Sequence, residues 1–306
     1  MISIIVGCYN EEKNIRAMYG RLQDVFKNLK EEMEIIYIDN SSTDNSKEIY
    51  KELAKKDKRV RALIMSRNFG SPQSSYLAGL KNCKGEAAII IAGDMEDPPE
   101  LIPEFIEKWK MGYQVAYGVR LGIEGAPLRN FLAGIFYKAL KKMAYIDVPV
   151  NAGDFSLLDR KVINEVIKFD ERDFYLRCVR AYVGFKQTGI QFLRGRRQTG
   201  TSNANLWTDL WYAKTIILNF SFKPLEWISK LAFLVVILTF FGILVNLIMY
   251  FLIPGAPPGV PTIVILMLFL GGIQLLGISI IGEYLAKIFI EIKHRPRYII
   301  EEIIDQ

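Results

Sequence analysis

From Leu231 to Gly282 the chain contains no Asp, Glu, Lys or Arg. The run breaks at 254–261, PGAPPGVP, into two apolar stretches, each near the ~20 residues that a bilayer-spanning helix needs. Two transmembrane helices are therefore expected, about 229 to 252 and 262 to 285, joined by a short hairpin. A buried helical hairpin of a soluble protein is the competing reading, but length and charge exclusion together favour spans. Lys223 and Lys230 precede the first stretch, Lys287, Lys293, Arg295 and Arg297 follow the second, and the loop between them is uncharged. By the positive-inside rule both termini are expected on the cytoplasmic side of the membrane. The opening MISIIVGCYNEE has no basic leader and only a short apolar run, so no signal peptide is expected.

The rest of the composition narrows the function. A net charge of +6 is modest, and with spans present it suits anionic headgroups or phosphates better than nucleic acid. No basic stripe with interleaved aromatics appears. Cys8, Cys83 and Cys178 lack metal-ligand or CxxC spacing and are expected to be reduced structural thiols. The one histidine, His294, lies in the basic flank after the second span and cannot form a metal cluster. Gly70 and Gly79 are expected to be turn and packing glycines, since no GxxxxGK[ST] phosphate loop is present.

The first hundred residues alternate β-branched runs with helical patterns, which predicts an α/β fold built from a parallel sheet of βαβ units. ISIIVGCY, EIIYID, VRALIMS and AAIIIAGD read as strands, and 12–29, 43–57 and 72–82 as helices. Ligands of such sheets bind beyond the carboxyl ends of the strands. There the sequence places Asn10 and Glu11, Asp39, Ser66 and Arg67, and an acidic cluster of Asp94, Glu96, Asp97 and Glu100. Hard carboxylate oxygens followed by Pro-Pro suit a divalent cation bound to a diphosphate. A plain acidic turn with Asp97 capping a helix near Pro99 is the alternative. Farther on, YQVAYGVR reads as a strand, and 128–146, with Lys138, Lys141 and Lys142, as an amphipathic helix. A second such helix is expected over 205–222, bearing two tryptophans. Both suit either a headgroup layer or ordinary core packing. The chain thus divides into 1–204, a juxtamembrane helix 205–228, the two spans within 229–285, and a basic tail 286–306.

The stretches IIVGCYNEEKNI, EIIYIDNSSTDNS, SRNFGSPQSSYLAGL, GDMEDPPELI, YGVR, NAGDFSLLDRKV, YVGFKQ, RGRRQTGTSN and IGEYLAKIFIEIKHRPRYII stand in the order and spacing of family 2 glycosyltransferases. More narrowly, the chain resembles the polyisoprenyl-phosphate glycosyltransferases, relatives of dolichol-phosphate mannose synthase and bactoprenol glucosyltransferases, over essentially its whole length. That resemblance implies a GT-A, Rossmann-like nucleotide-sugar domain and a membrane hairpin. It implies inverting transfer of a sugar from a nucleotide diphosphate sugar to a polyprenyl phosphate on the cytoplasmic leaflet, with Mg²⁺ or Mn²⁺ as cofactor. UDP-glucose and undecaprenyl phosphate are the first expectation by resemblance alone.

The same resemblance assigns residues. Tyr9, Asn10, Glu11 and Asp39 would line the nucleotide pocket, with Arg67 supporting that side; a strand-end carboxylate such as Asp39 accepts hydrogen bonds from an imide or from ribose hydroxyls. Asp94, with Glu96 and possible help from Asp97, would hold the metal. Asp154, in NAGDF, is expected on a loop at the acceptor side. A lipid monophosphate is already largely ionised at neutral pH, so orienting the sugar, or stabilising positive character at its anomeric carbon, suits Asp154 better than proton removal. Arg120 is expected at the catalytic centre and Arg129, Arg177, Arg194, Arg197 and Ser202 at the phosphates, since guanidinium forks match phosphate oxygens. Three positions depart from the family pattern: Asn40 replaces a second acid, Ala92 the first carboxylate of Asp-Ala-Asp, and Asn203 a common Lys. The departures at Asn40 and Ala92 leave open a catalytically silent scaffold. A polysaccharide synthase of the same fold is disfavoured because QFLRG lacks the Trp of QxxRW and two spans are too few for a channel. Gly271, Gly272 and Gly277 offer small surfaces for helix association, and by resemblance a homo-oligomer, of the order of a tetramer, is expected.

Overall fold

The computed structural model describes residues 1–123, 149, 151–169, 171–195, 221–252 and 259–305. Two units emerge: the first comprises Met1–Ile216 and Arg295–Gln306, the second Ile217–His294. The expected amphipathic helix over 128–146 and all but the last two residues of the one over 205–222 lie outside the described residues, as do Arg129, Arg197, Ser202 and Asn203.

In the first unit the alternation resolves as β1 (Ile2–Cys8), α1 (Glu12–Phe26), β2 (Met33–Asp39), α2 (Ser46–Lys56), β3 (Val60–Met65), α3 (Pro72–Asn82) and β4 (Ala87–Ala92). α4 (Ile102–Lys110), β5 (Val115–Ile123), β6 (Ala152–Asp159), α5 (Arg160–Val166), α6 (Leu176–Tyr182) and β7 (Gln187–Arg194) follow. The chain ends in β8 (Ile300–Ile304). The sheet order is β7-β5-β6-β4-β1-β2-β3-β8. β1 to β4 run parallel, as the βαβ pattern requires, whereas β6 is antiparallel to both β4 and β5.

β1, β2 and β4 read as near-continuous apolar runs because both faces of the sheet are covered. Ile2, Ile4 and Val6 point to the layer of α1, α2 and α4, with Ile15, Met18, Leu53 and Phe105. Ile5 points to the layer of α3, α5 and α6, with Leu77, Val162 and Val179. Each fully buried side chain of this kind contributes about 1.5–3 kcal/mol. Close approach is set by small residues: a Cβ on Gly79 of α3 would meet the Ile5 side chain at 2.2 Å, and one on Gly7 would meet the Tyr76 ring at 2.9 Å. Ser71 opens α3 by accepting the Gln73 N–H at 3.3 Å, with Pro72 at the first helical position.

Three expectations are corrected. NAGDF is not a loop: Ala152–Asp159 is a strand, inserted antiparallel between β4 and β5, and Asp159 caps the following helix by accepting the Lys161 N–H at 2.8 Å. Asp97 does not cap the helix near Pro99: a 3₁₀ turn, Pro99–Leu101, leads into α4 with Pro98 at the cap position. The segment 286–306, expected as a basic tail, contains regular structure. Helix continues to Glu291, and Ile300–Ile304 pairs antiparallel with β3, setting Ile303 opposite Leu63 and burying Ile304.

The second unit contains α7 (Lys223–Leu252) and α8 (Val260–Glu291), longer at their outer ends than the apolar runs alone predict. Both are long and apolar enough to cross a membrane, and within this chain none of the qualifying windows is buried. Phe233, Val236, Phe240, Leu275 and Ile278 are among the exposed side chains.

Candidate active site

The carboxyl ends of β1 and β2 form one side of the site. Tyr9 is exposed just past β1. Asn10 follows with φ of 54°, a left-handed conformation that Asn tolerates better than most residues. Its N–H donates to Ser42 Oγ at 2.8 Å, and its Oδ1 accepts the Thr43 N–H at 2.8 Å, so the two strand-end loops are knitted together. Glu11 is buried, accepts from the Asn14 amide and opens α1 through its own carbonyl. Asp39 ends β2 and is 1% exposed. Oδ1 of Asp39 accepts the Ser42 N–H at 2.6 Å, while Oδ2 is buried with no hydrogen-bond partner. Burial pushes the Asp39 carboxyl above the usual carboxylate range, against the pull of the Ser42 N–H.

Asn40 has a structural explanation. Nδ2 of Asn40 donates to Asn68 Oδ1 at 3.1 Å and its Oδ1 accepts the Phe69 N–H at 3.0 Å, tying the end of β2 to the β3–α3 loop. Only an amide both donates and accepts here; a carboxylate would lose the first bond. In the same loop the Arg67 guanidinium sits over the Phe69 ring, 4.3 Å from its centre, on an exposed face.

Beyond β4 comes the acidic turn. Gly93 donates its N–H to Gly7 O at 2.9 Å, and a Cβ on it would stand 2.5 Å from Cys8 Sγ, so only glycine fits without displacement. Asp94 and Glu96 are half-buried, and Asp94 Oδ1 accepts the Glu96 N–H at 3.2 Å. Met95 between them has φ of 64°. Asp97 turns inward, 2% exposed, with Arg120 Nη2 3.6 Å from its Oδ1. Glu100 leaves the cluster altogether and pairs with Arg21 of α1. Among the described residues no three His, Cys, Asp or Glu side chains gather as a closed metal cage would need. Asp94 with Glu96 fits the open kind of site instead, in which one or two carboxylates share a hard cation with substrate phosphates and water.

The third part is built on β6 and α6. Asp154 Oδ2 accepts from Gln73 Nε2 at 2.9 Å and from Arg177 Nη2 at 3.3 Å, while Oδ1 is buried with no hydrogen-bond partner. Burial pushes this carboxyl up, but Arg177, Arg120, the Gln73 amide and Arg180 together hold it below the usual range, hence ionised. Arg120 lies across Gly153, where a Cβ would meet its Nε at 3.2 Å. Arg194 ends β7.

Three members were not anticipated from the sequence. Gln73 belongs to the SPQSS stretch, where the Ser-Pro cap signal marks a helix start but says nothing of what the side chain meets. Arg180 follows Arg177 by one helical turn, which placed it on the same face. It is wholly buried, its guanidinium 4.5 Å from the centre of the Tyr117 ring, and it donates from Nη1 to Gly153 O at 3.2 Å. Burial pulls Arg180 down to about 10. Tyr76, buried in α3, stands among the acids: burial pushes its phenol up, and Asp154, Asp97 and Asp94 push it further. Acids that sequence spacing leaves sixty residues apart thus act on one phenol. Gln73 also borders a cavity of about 280 Å³, lined by Phe69, Ser71, Arg172, Phe174 and Arg297 among others.

Residues 3–167 match the family model described as glycosyl transferase family 2. The chain is 37% identical to an uncharacterized glycosyltransferase, YkcC, of Bacillus subtilis (strain 168), over 98% of this chain and 93% of that protein. It is 36% identical to the bactoprenol glucosyl transferase of Shigella phage SfV, over 98% of each. With the prophage bactoprenol glucosyl transferase homolog of Escherichia coli (strain K12) it shares 34% identity over 99% of each. Among solved structures, glucosyl-3-phosphoglycerate synthase from Mycobacterium tuberculosis, with Mn²⁺, UDP and phosphoglyceric acid, aligns at 13% identity and a TM-score of 0.47. The alignment covers 71% of this chain and 76% of that one, a likeness too distant to transfer any feature of the site.

Proposed function

The chain belongs to glycosyl transferase family 2 and is a glycosyltransferase, and from that premise we propose that it transfers a sugar from a nucleoside diphosphate sugar to a polyprenyl phosphate in a membrane. The observation that carries this reading is the extent of the likeness. Identity of about 35% to bactoprenol glucosyl transferases runs over nearly the whole chain, apolar helices included. Glucose is the first donor sugar to test for the same reason. Connectivity is consistent with two spans: the chain leaves the sheet-bearing unit after Ile216 and rejoins it at Arg295. A pair of crossings returns to the side it left.

On this reading the exposed Tyr9 offers an aromatic face to the base, and the buried, unpartnered Oδ2 of Asp39 accepts from the base or ribose. Asp94 and Glu96 are the residues that would hold Mg²⁺ or Mn²⁺, which when bound neutralises charge on the leaving diphosphate. A phosphate oxygen of the lipid attacks the anomeric carbon in line; the new C–O bond forms as the bond from that carbon to the diphosphate oxygen breaks, inverting the centre. That nucleophile is already ionised at neutral pH, so no protein base is required. Arg120 and Arg177 supply positive charge near the two phosphates, and Asp154, held as an anion, faces the carbon on which positive character develops. Uncovered apolar surface on α7 and α8 suits lipid and neighbouring copies in a homo-oligomer.

The test is transfer of label from a panel of nucleotide sugars to organic-extractable lipid, with native protein and Asp94→Asn side by side. Native protein is expected to label lipid and the variant to lose at least about a hundredfold in rate while remaining folded. Label appearing only in insoluble polymer, or near-native turnover by Asp94→Asn, would overturn the reading.

A further inference from the structure

Gln73 has both ends of its amide committed. Nε2 donates to Asp154 Oδ2 at 2.9 Å and Oε1 accepts the Leu176 N–H at 2.8 Å. A backbone N–H can only donate and an ionised carboxylate only accept, so the orientation of the amide is fixed by its partners. The side chain is 7% exposed, and it reaches from the first turn of α3 to a strand eighty residues on and to the start of α6. Oδ2 of Asp154 therefore carries two donors, Gln73 and Arg177, and Oδ1 is left as a buried acceptor with no hydrogen-bond partner.

We infer that Gln73 is a positioning residue for the transfer reaction: it fixes the rotamer of Asp154, keeps Oδ2 occupied, and so presents Oδ1 to the hydroxyl groups of the donor sugar. This rests on the proposed role of Asp154. The two donors on Oδ2 have different freedom. The Arg177 side chain is 19% exposed, so on this reading a phosphate oxygen of a substrate competes for its guanidinium. Gln73 is neutral and offers little to a phosphate, so Asp154 stays held when Arg177 turns to the ligand. A neutral donor is also what the electrostatics need, because a second carboxylate here would compete with Asp154 for the same cations.

The chemistry separates a positioning role from a filler role. Gln73→Met keeps the length and loses both hydrogen bonds. Gln73→Glu keeps the acceptor for Leu176 N–H but donates to Asp154 only when protonated. The titratable groups that face this pair are Arg177, Cys178 and Arg180 from α6, Arg120 from β5 and Tyr76 from α3. Arg172 and Asp173 line the cavity on the other side of Gln73.

With full-length protein in detergent and labelled nucleotide sugar, Gln73→Met is expected to lower kcat about tenfold, the loss of one hydrogen bond to a charged group, with KM for the nucleotide sugar within about twofold. Activity of Gln73→Glu relative to Gln73→Met is expected to rise as pH falls from about 8 to about 6, following the proton that the Glu must carry to donate, while native relative to Met stays level. Native kcat in Gln73→Met, or a level Glu-to-Met ratio across that range, would overturn the inference. Asp154→Asn in the same assay keeps the two readings apart. If it loses transfer while the Gln73 variants behave as native, the positioning role alone fails; if it turns over normally, the role of Asp154 fails and this inference with it.

Discussion

Replacing Gly93 by Ala should cost stability and activity together, through one sulfur atom. The added Cβ would stand 2.5 Å from Cys8 Sγ and 3.1 Å from Gly7 O. Non-bonded carbon contacts are comfortable at about 3.5–4.0 Å, so the overlap with sulfur is about 1 Å. Cys8 is buried at the end of β1. Overpacking of this size costs about 1–3 kcal/mol, which for a domain of this size corresponds to a fall in Tm of roughly 2–12 °C. If the turn yields instead of the sulfur, Asp94, the next residue, moves, and a displacement near 1 Å costs about a hundredfold in rate. Thermal unfolding and lipid-transfer kinetics on Gly93→Ala, Cys8→Ala and the double variant form a cycle. The double variant should regain most of what Gly93→Ala loses, with a coupling of about 0.5–3 kcal/mol. Additive effects, or a Gly93→Ala protein with native Tm and kcat, would refute the steric argument.

Asp39→Asn is expected to raise KM for the nucleotide sugar while leaving or improving stability at neutral pH. Burial raises the Asp39 carboxyl in the folded state, so its charge opposes folding above the ordinary carboxylate range and not below it; the gain in Tm should vanish as pH falls through that range. Asp57 has the opposite sign. It accepts from Arg59, Tyr19 and Gln23, and the Arg59 guanidinium helps hold it at about 2. Its stabilisation is whole above the unfolded carboxylate range and drains as pH falls toward 2, so Asp57→Asn should lower Tm at neutral pH and converge with native protein in acid. Ending the chain after His294 should remove β8, expose the backbone edge of β3 and lower Tm, read by thermal unfolding and by light scattering for edge-to-edge aggregation.

The parallel half of the sheet was legible because its strands are apolar on both faces, α1 and α2 carry their own periodicity, and Ser71 with Pro72 marks the start of α3. The antiparallel insertion was not. Ala152 to Asp154 reads as a loop because Asn151, Gly153 and Asp154 are turn formers, yet Gly153 serves to let Arg120 cross and Asp154 is stabilised by partners far away in sequence. β8 was hidden for a similar reason: IEEII beside a basic segment looks like a solvated tail until β3 supplies its partner. In the site, strand-end acids announced themselves through topology, whereas Gln73 and Arg180 did not, since their meaning lies wholly in what α3 and α6 place beside β6. The departure at Asn40 reads as lost function in sequence and as a loop tie in space.

That the last residues complete the edge of the sheet fixes an order of events during synthesis. The β3 edge, finished early, has no neighbour until residues 300–304 leave the ribosome, by which time both long apolar helices have already emerged. The outer edge of the enzyme is therefore closed only after both helices are made, and a single proteolytic nick in the 253–258 connection would leave the two pieces joined through β8 rather than shed the helices as an appendage.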